Sequence, residues 1–118
     1  MNNAKETKKI LQSCVGNPRK LADLTEYSNG SIVSKTIIDK PAGTITLFAF
    51  DKGQSLSEHT TPYDAVVEVV QGRVRLTIGG VEKEVCGGEI IIMPANVPHS
   101  VLAVERFKML LTMIRERT

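Results

Sequence analysis

The sequence predicts an all-β fold of the sandwich or barrel type in one domain. From Gly43 onward, short runs rich in Val, Ile and Thr are separated by turn residues such as Gly79-Gly80 and Gly87-Gly88. This succession of short apolar runs and turns is typical of antiparallel sheets rather than of alternating strands and helices. Residues 73 to 78 alternate between polar and apolar side chains, which indicates a strand with one buried and one solvated face. A length of 118 residues suits a single domain with its own core.

The first part of the chain is predicted to differ from the rest. Residues 1 to 30 are assigned to a tail or short helix that packs on the barrel, and residues 31 to 118 to the barrel itself. Residues 4 to 15 place three apolar side chains on part of a helical face, and Gly16-Asn17-Pro18 ends that pattern. This indicates either a short amphipathic helix or a frayed tail. The brief apolar patch of residues 21 to 24 is expected to pack on the barrel.

The remaining elements are all predicted to be strands. They are residues 31–38, 44–50, an extended segment that contains His59 and Thr61, and residues 65–70, 73–78, 81–86, 90–92, 100–104 and 107–114. Because Ile90-Ile91-Ile92 is apolar without interruption, its strand is expected to be buried on both faces. The two prolines of residues 94 to 98 predict a rigid loop that delivers His99 to the end of its strand.

Polar side chains in the segment around His59 are candidates for a binding site. His59 and Thr61 are two apart and therefore share one face of an extended segment, with Cα atoms about 6.5 Å apart at roughly 3.3 Å rise per residue. Two side chains at this spacing can converge on one ion or ligand. Tyr63 has the same parity and could offer a phenol. Asp64 has the opposite parity and would face inward only if a bulge near Pro62 turned it.

The segment from Gly53 to Gly72 resembles the first sequence motif of the cupin family. That motif runs Gly, five residues, His, one residue, His, three or four residues, Glu, six residues, Gly. Gly53, His59 and Gly72 match it, whereas Thr61 and Ala65 replace the second His and the Glu. Both replacements fall on positions that bind metal in the family.

The segment from Gly88 to Ala103 resembles the second cupin motif, which runs Gly, five residues, Pro, one residue, Gly, two residues, His, three residues, Asn. Gly88, Pro94 and His99 match, whereas Asn96 and Ala103 differ. Asn in place of Gly preserves the turn, because Asn tolerates the left-handed backbone region. Together the resemblance covers residues 43 to 113.

The resemblance implies an antiparallel double-sheet barrel of jelly-roll type whose mouth is lined by His59, Thr61, Ala65 and His99. In metal-binding cupins these positions hold three His and one Glu around Fe, Mn, Ni, Zn or Cu. This chain has only two histidines, and a Thr hydroxyl is a poor neutral ligand. We therefore expect at most one divalent transition metal, in a degenerate site on His59 and His99, or none. Asp64 is the third candidate ligand.

These residues support two functional hypotheses. The leading one is a cupin that binds a small molecule through His59, Thr61, Tyr63 and His99 at the barrel mouth. The alternative is a metal-dependent enzyme of the dioxygenase, isomerase or decarboxylase type, in which Asp64, water or substrate completes a two-His site. A third hypothesis is acid–base chemistry by the two imidazoles alone.

Composition argues against several other classes. A formal net charge of +2 with dispersed signs and only five aromatic residues give no stacking platform for nucleic acid. The start of the chain is polar and rich in Lys, which is not the pattern of a secretory signal peptide. No run of 18 apolar residues predicts a membrane span. We therefore expect a cytoplasmic protein. Cys14 and Cys86 are expected to be free thiols. The cupin resemblance further implies a homodimer formed through sheet edges, with the strand 31–38 as the candidate for exchange.

Overall fold

Two antiparallel sheets face each other across one apolar core in the computed structural model, which describes residues 9–116. This confirms the predicted all-β, double-sheet barrel. The strands are β1 (Lys9–Ile10), β2 (Ile32–Lys40), β3 (Gly43–Phe50), β4 (Ser55–His59), β5 (Asp64–Gln71), β6 (Arg73–Ile78), β7 (Val81–Cys86), β8 (Ile90–Met93), β9 (His99–Ala103) and β10 (Phe107–Ile114). Within the described range the only helices are two 3₁₀ turns, η1 (Gln12–Cys14) and η2 (Leu21–Leu24), and neither could span a membrane.

The sheets contain six and four strands. The larger has the order β1-β2-β3-β10-β5-β8 and the smaller the order β4-β9-β6-β7. Alternation directs one face of a strand into the core, as in β5, where Ala65, Val67 and Val69 are buried and the residues between them are not. Strand β4 and strand β9 lie side by side in the smaller sheet, and this pairing brings the two cupin motifs together.

The centre of the core is built around two phenylalanines. Phe50 and Phe107 are both 0% exposed, and their rings stack with centroids 4.6 Å apart. Val74 and Leu76 from the smaller sheet and Val67 from the larger one are also fully buried in the same cluster. Large side chains therefore fill the barrel interior, which leaves the mouth as the place where a ligand could bind.

The N-terminal segment differs from the predicted helix wherever the structure describes it. Residues 9 and 10 form a strand on the edge of β2, and the Leu11 N–H donates to the carbonyl of Ile37 at 2.8 Å. A single 3₁₀ turn follows in place of an α-helix. So short a helix would be marginal in water, and pairing with a neighbouring strand satisfies the backbone instead. Residues 4–8 of the predicted helix lie outside the described range.

The expectation that residues 90–92 are buried on both faces is wrong. Ile90 and Ile92 are 64% and 61% exposed, whereas Met93 is buried. Strand β8 is the last strand of the six-stranded sheet, and only one of its faces meets the core. An uninterrupted apolar run therefore did not distinguish a central strand from an edge strand whose outer face is also apolar.

A buried lysine anchors the segment that precedes β2. Lys108, on β10, is only 7% exposed, and its Nζ donates to the carbonyls of Ala22 at 2.5 Å and Thr25 at 2.7 Å. The Tyr27 ring lies 5.0 Å from the same ammonium, within reach of a cation–π contact. These contacts hold the segment around η2 against the outer face of the larger sheet. No local pattern in the sequence predicts that Lys108 is buried, because its partners are backbone carbonyls more than 80 residues away in the chain.

A second polar cluster joins the start of β2 to the end of β3. Asp51 accepts hydrogen bonds from the Arg106 Nε at 2.8 Å and from the Gly30 N–H at 2.7 Å. The hydrogen bond from Arg106, followed by that from Gly30, lowers the pKa of Asp51 from 3.8 to about 2. Arg106 also donates to the Asn29 side chain, so one guanidinium ties the turn at Asn29-Gly30 to the loop before β10.

Candidate functional site

The two histidines meet at the barrel mouth. His59 is the last residue of β4, His99 is the first residue of β9, and the two are direct Cα partners in the antiparallel ladder. Their Nε2 atoms are 3.2 Å apart, and the rings meet edge to face with centroids 4.4 Å apart. His99 is 5% exposed, whereas His59 is exposed to solvent. The pair therefore has one buried and one accessible imidazole.

Hydrogen bonds to the backbone fix the orientation of both rings. The Nδ1 of His59 lies 2.9 Å from the carbonyl of Ser57, and the Nδ1 of His99 lies 3.2 Å from the carbonyl of Val97. A carbonyl can only accept, so each Nδ1 carries the proton and donates. Each neutral ring then presents a lone pair on Nε2, and two lone pairs face each other at 3.2 Å. A shared proton, a cation or a donor group of a ligand would satisfy them.

Backbone contacts hold the loop that carries His99 against the segment after β4. The Asn96 N–H donates to the carbonyl of Thr61 at 2.7 Å, and the Ala95 N–H donates to Asp64 Oδ1 at 2.8 Å. On the other side, the Gly79 N–H donates to the carbonyl of Pro98 at 2.8 Å. Asn96 has a φ of 65°, the left-handed geometry expected where the family motif has Gly. Sequence reasoning missed these contacts because most of them involve backbone atoms.

The other candidate residues have different surroundings. Strand β4 ends at His59, so Thr61 and Tyr63 lie beyond it and strand alternation does not place their side chains on the face of His59. The Thr61 hydroxyl donates to the carbonyl of Tyr63 at 3.0 Å and thereby closes a local turn. The Tyr63 ring lies 6.0 Å from the Arg115 guanidinium. Asp64 has its Oδ1 on the Ala95 N–H, an interaction that positions the loop.

The residues at the mouth fit a metal ion only in part. Two Nε2 atoms on one ion with bonds of about 2.0–2.1 Å would be roughly 2.8–3.4 Å apart for octahedral or tetrahedral angles, and the observed separation is 3.2 Å. However, catalytic sites of this kind use three protein ligands. Within residues 9–116, no group of three His, Cys, Asp or Glu side chains could hold a metal ion. Ala65, at the position of the family Glu, offers no ligand atom and is buried.

Cavities elsewhere on the surface do not include the histidine pair. One of about 500 Å³ is lined by residues between 13 and 24, and one of about 490 Å³ is lined by residues 9–12 together with Lys35 and Thr36 of β2. Their lining carries no second cluster of imidazole or thiol groups. The only two histidines of the chain meet at the barrel mouth, and this convergence makes the mouth the candidate site.

Comparisons with known proteins agree with this architecture. The cupin domain family model matches residues 46–114. A conserved protein of unknown function from Streptococcus pyogenes has a crystal structure that is 32% identical, covers 86% of this chain and 90% of its own, and superimposes with a TM-score of 0.82. A cupin 2 conserved barrel domain protein from Leptotrichia buccalis is 42% identical over 80% of this chain and 46% of its own, with a TM-score of 0.77.

A curated relative matches a shorter part of the chain. It is an uncharacterized protein of Streptomyces coelicolor, 34% identical over 56 residues. The match spans 48% of this chain and 53% of that relative, so only about half of each is compared. The family model nevertheless covers more than half of the present chain, and the residues it matches include strands of both sheets. The chain therefore belongs to the cupin family.

Proposed function

We propose that this cupin binds a small polar organic molecule at the barrel mouth, with His59 as the accessible contact and His99 as its buried partner. The observation that supports this most strongly is the pair of Nε2 atoms 3.2 Å apart, both oriented by Nδ1 contacts to backbone carbonyls. Such preoriented polar groups beside a filled apolar core are typical of small-molecule sites. The replacement of two family metal ligands by Thr61 and Ala65 further favours an organic ligand over a resident metal.

The chemistry of the pair indicates the kind of group that would bind. Because both Nδ1 atoms face carbonyls, the free Nε2 lone pairs are hydrogen-bond acceptors in the neutral rings. A hydroxyl, amine or amide N–H of a ligand can donate to Nε2 of His59, the exposed member of the pair. Thr61 and Tyr63 lie in the segment that follows His59, and they are candidates for further contacts at the rim.

The second candidate is a metal-dependent cupin enzyme of the dioxygenase, isomerase or decarboxylase type. One observation favours it: the Nε2 separation is one that two neighbouring ligands of a single ion would have. His59 and His99 would hold the ion, and a substrate group would have to supply a further ligand. The metal would act there as a Lewis acid that polarises a substrate oxygen.

A ligand screen tests the proposed function. We expect a library of small sugars, hydroxy acids and amino acids, screened by ligand-observed NMR, to contain a binder. In protein-observed NMR this binder should shift the ring nitrogen signals of His59. His59→Ala should weaken its affinity roughly 2- to 13-fold, which corresponds to the loss of one hydrogen bond of about 0.5–1.5 kcal/mol. The free protein should show protonated Nδ1 in both rings.

Glu58→Ala is the matched control for this measurement. Glu58 precedes His59 on the same strand and is also exposed, but it takes no part in the contact between the two imidazoles. The control variant should bind with wild-type affinity. A ligand that binds His59→Ala as tightly as it binds the wild type would contradict the assignment of the site.

A further inference from the structure

An arginine lies at the same end of the barrel as the histidine pair. A short loop joins β3 to β4, so the start of β3 and the end of β4, where His59 lies, are at one end of the barrel. The end of β10 pairs with the start of β3, because Ile114 is the Cα partner of Gly43. Arg115 follows directly, and its backbone N–H continues this pairing with a hydrogen bond of 2.8 Å to the turn before β3. Arg115 is therefore at the mouth of the barrel.

The register of β10 directs the Arg115 side chain to the inner side of the larger sheet. Met113 packs against the apolar core, and the next residue, Ile114, is 51% exposed. Alternation then returns Arg115 to the side of Met113. Tyr63 is related in the same way to Ala65, which is buried and is the Cα partner of Met113. The Arg115 guanidinium lies 6.0 Å from the centroid of the Tyr63 ring, as expected for side chains that extend this inner row towards the mouth.

The two walls of the mouth carry different groups. His59 and His99 belong to β4 and β9 of the four-stranded sheet, whereas Tyr63 and Arg115 adjoin β5 and β10 of the six-stranded sheet. Facing sheets pack about 10 Å apart, and side chains from both sheets reach into the space between them. A small molecule between these walls can therefore contact an imidazole on one side and a guanidinium on the other.

One edge of the Arg115 guanidinium is open to such a molecule. Its Nη1 donates to the carbonyl of Lys40 at 2.8 Å and lies 3.7 Å from Asp39 Oδ1. Its Nε and Nη2 have no hydrogen-bond partner among residues 9–116. The N–H groups of these two atoms project side by side from one edge of the guanidinium, the arrangement that binds both oxygens of a carboxylate. The side chain is 33% exposed, so a ligand in solution can reach it.

We propose that the ligand at the mouth is a small carboxylate that also carries a hydroxyl or amino group, as in a hydroxy acid or an amino acid. This ligand class rests on the proposed small-molecule function and narrows it. The hydroxyl or amino group donates to Nε2 of His59, and the carboxylate accepts from Nε and Nη2 of Arg115. Asp39 stays beside Nη1 on another edge of the guanidinium, so the ligand does not have to displace it. Tyr63 flanks the carboxylate site.

Acids paired with their esters test this ligand class with the full chain. Lactate, mandelate, serine and phenylalanine, each with its methyl ester, would be titrated by protein-observed NMR together with glucose and galactose. We expect an acid to bind roughly tenfold or more tightly than its ester, since the ester cannot form the charge-assisted pair. Arg115→Gln should abolish this preference by weakening binding of the acid while the affinity for the ester stays unchanged. A purely structural role for Arg115 would change both affinities alike.

Arg19→Gln is the matched control. Arg19 is also an exposed arginine that donates to a backbone carbonyl, that of Ser13 at 2.7 Å, but it lies between η1 and η2. The control removes the same charge and one similar hydrogen bond, and it should keep the preference of the wild type for the acid. Circular dichroism checks that both variants fold.

The outcomes distinguish a wrong ligand class from a wrong site. A sugar that binds as tightly as the acids, more weakly to His59→Ala and unchanged to Arg115→Gln, would overturn the carboxylate ligand and leave the small-molecule site in place. A preference for the acid that survives Arg115→Gln would also overturn the role of Arg115. If none of these compounds binds, the ligand class and the proposed function are both wrong.

Discussion

Replacing Gly72 by alanine is expected to lower the free energy of unfolding by at least about 3 kcal/mol, because two independent costs combine there. The residue has a φ of +83°, a conformation that L side chains rarely adopt. A Cβ at this position would also overlap the carbonyl oxygen of Arg106 and lie 2.7 Å from the Cα of Phe107. Both neighbours are backbone atoms and cannot move aside independently. Urea unfolding followed by circular dichroism measures the effect.

Gly88→Ala is the matched control for this prediction. Gly88 has a similar φ of +91°, but a Cβ there would meet nothing within 4 Å. Only the backbone strain remains, so the loss should be about 1 kcal/mol. The difference between the two variants isolates the overlap with the loop before β10. Equal losses in the two variants would show that this overlap has no energetic effect.

Phe107→Ala is expected to cost about 3–5 kcal/mol of stability, the usual range for removing a fully buried aromatic ring. Phe107 is 0% exposed and stacks on Phe50 at 4.6 Å, so the deletion leaves a cavity at the centre of the core. Phe48→Ala provides the comparison, since the Phe48 ring is only half-buried and lies 6.1 Å from that of Phe50.

The same denaturant titrations serve for both phenylalanine variants. Phe48→Ala should lose clearly less stability than Phe107→Ala, with an unchanged dependence on urea concentration. If Phe48→Ala were the more damaging variant, the core would be centred elsewhere than the Phe50–Phe107 stack.

Much of the fold follows from local patterns in the sequence. The alternation in residues 73–78 and the turns at Gly79-Gly80 and Gly87-Gly88 predicted β6, β7 and the start of β8 closely. These signals are strong because a strand with one buried face must alternate, and hairpin turns need residues that adopt positive φ. Gly72, Gly79, Gly80 and Gly88 all have positive φ in the structure.

Long-range pairing determines the features that the sequence did not predict. Residues 9 and 10 form a strand only because β2 offers a free edge, and no local pattern encodes that partner. Ile90 and Ile92 are exposed because β8 lies at the end of the sheet. The position of a strand within a sheet depends on the topology of the whole chain. An apolar run indicates a preference for burial but does not indicate whether the strand is central or at an edge.

The candidate site was predictable in outline but not in detail. Motif spacing placed His59 and His99 together at the mouth, and the structure brings their Nε2 atoms to 3.2 Å. The contacts that orient them could not be read from the sequence, because Ser57, Val97, Thr61 and Pro98 contribute backbone carbonyls. Every residue type has the same backbone carbonyl, so the identity of the side chain does not predict these contacts.

Metal analysis tests the central claim most directly, namely that His59 and His99 form a binding site for an organic ligand without a resident metal. The protein would be purified without an affinity tag or chelator, its metal content measured, and uptake of Fe, Mn, Ni, Zn and Cu followed by calorimetry. With only two imidazole ligands, we predict substoichiometric metal and no tight uptake. Near-stoichiometric metal that disappears in both His59→Ala and His99→Ala would contradict the account and establish the metal-dependent alternative.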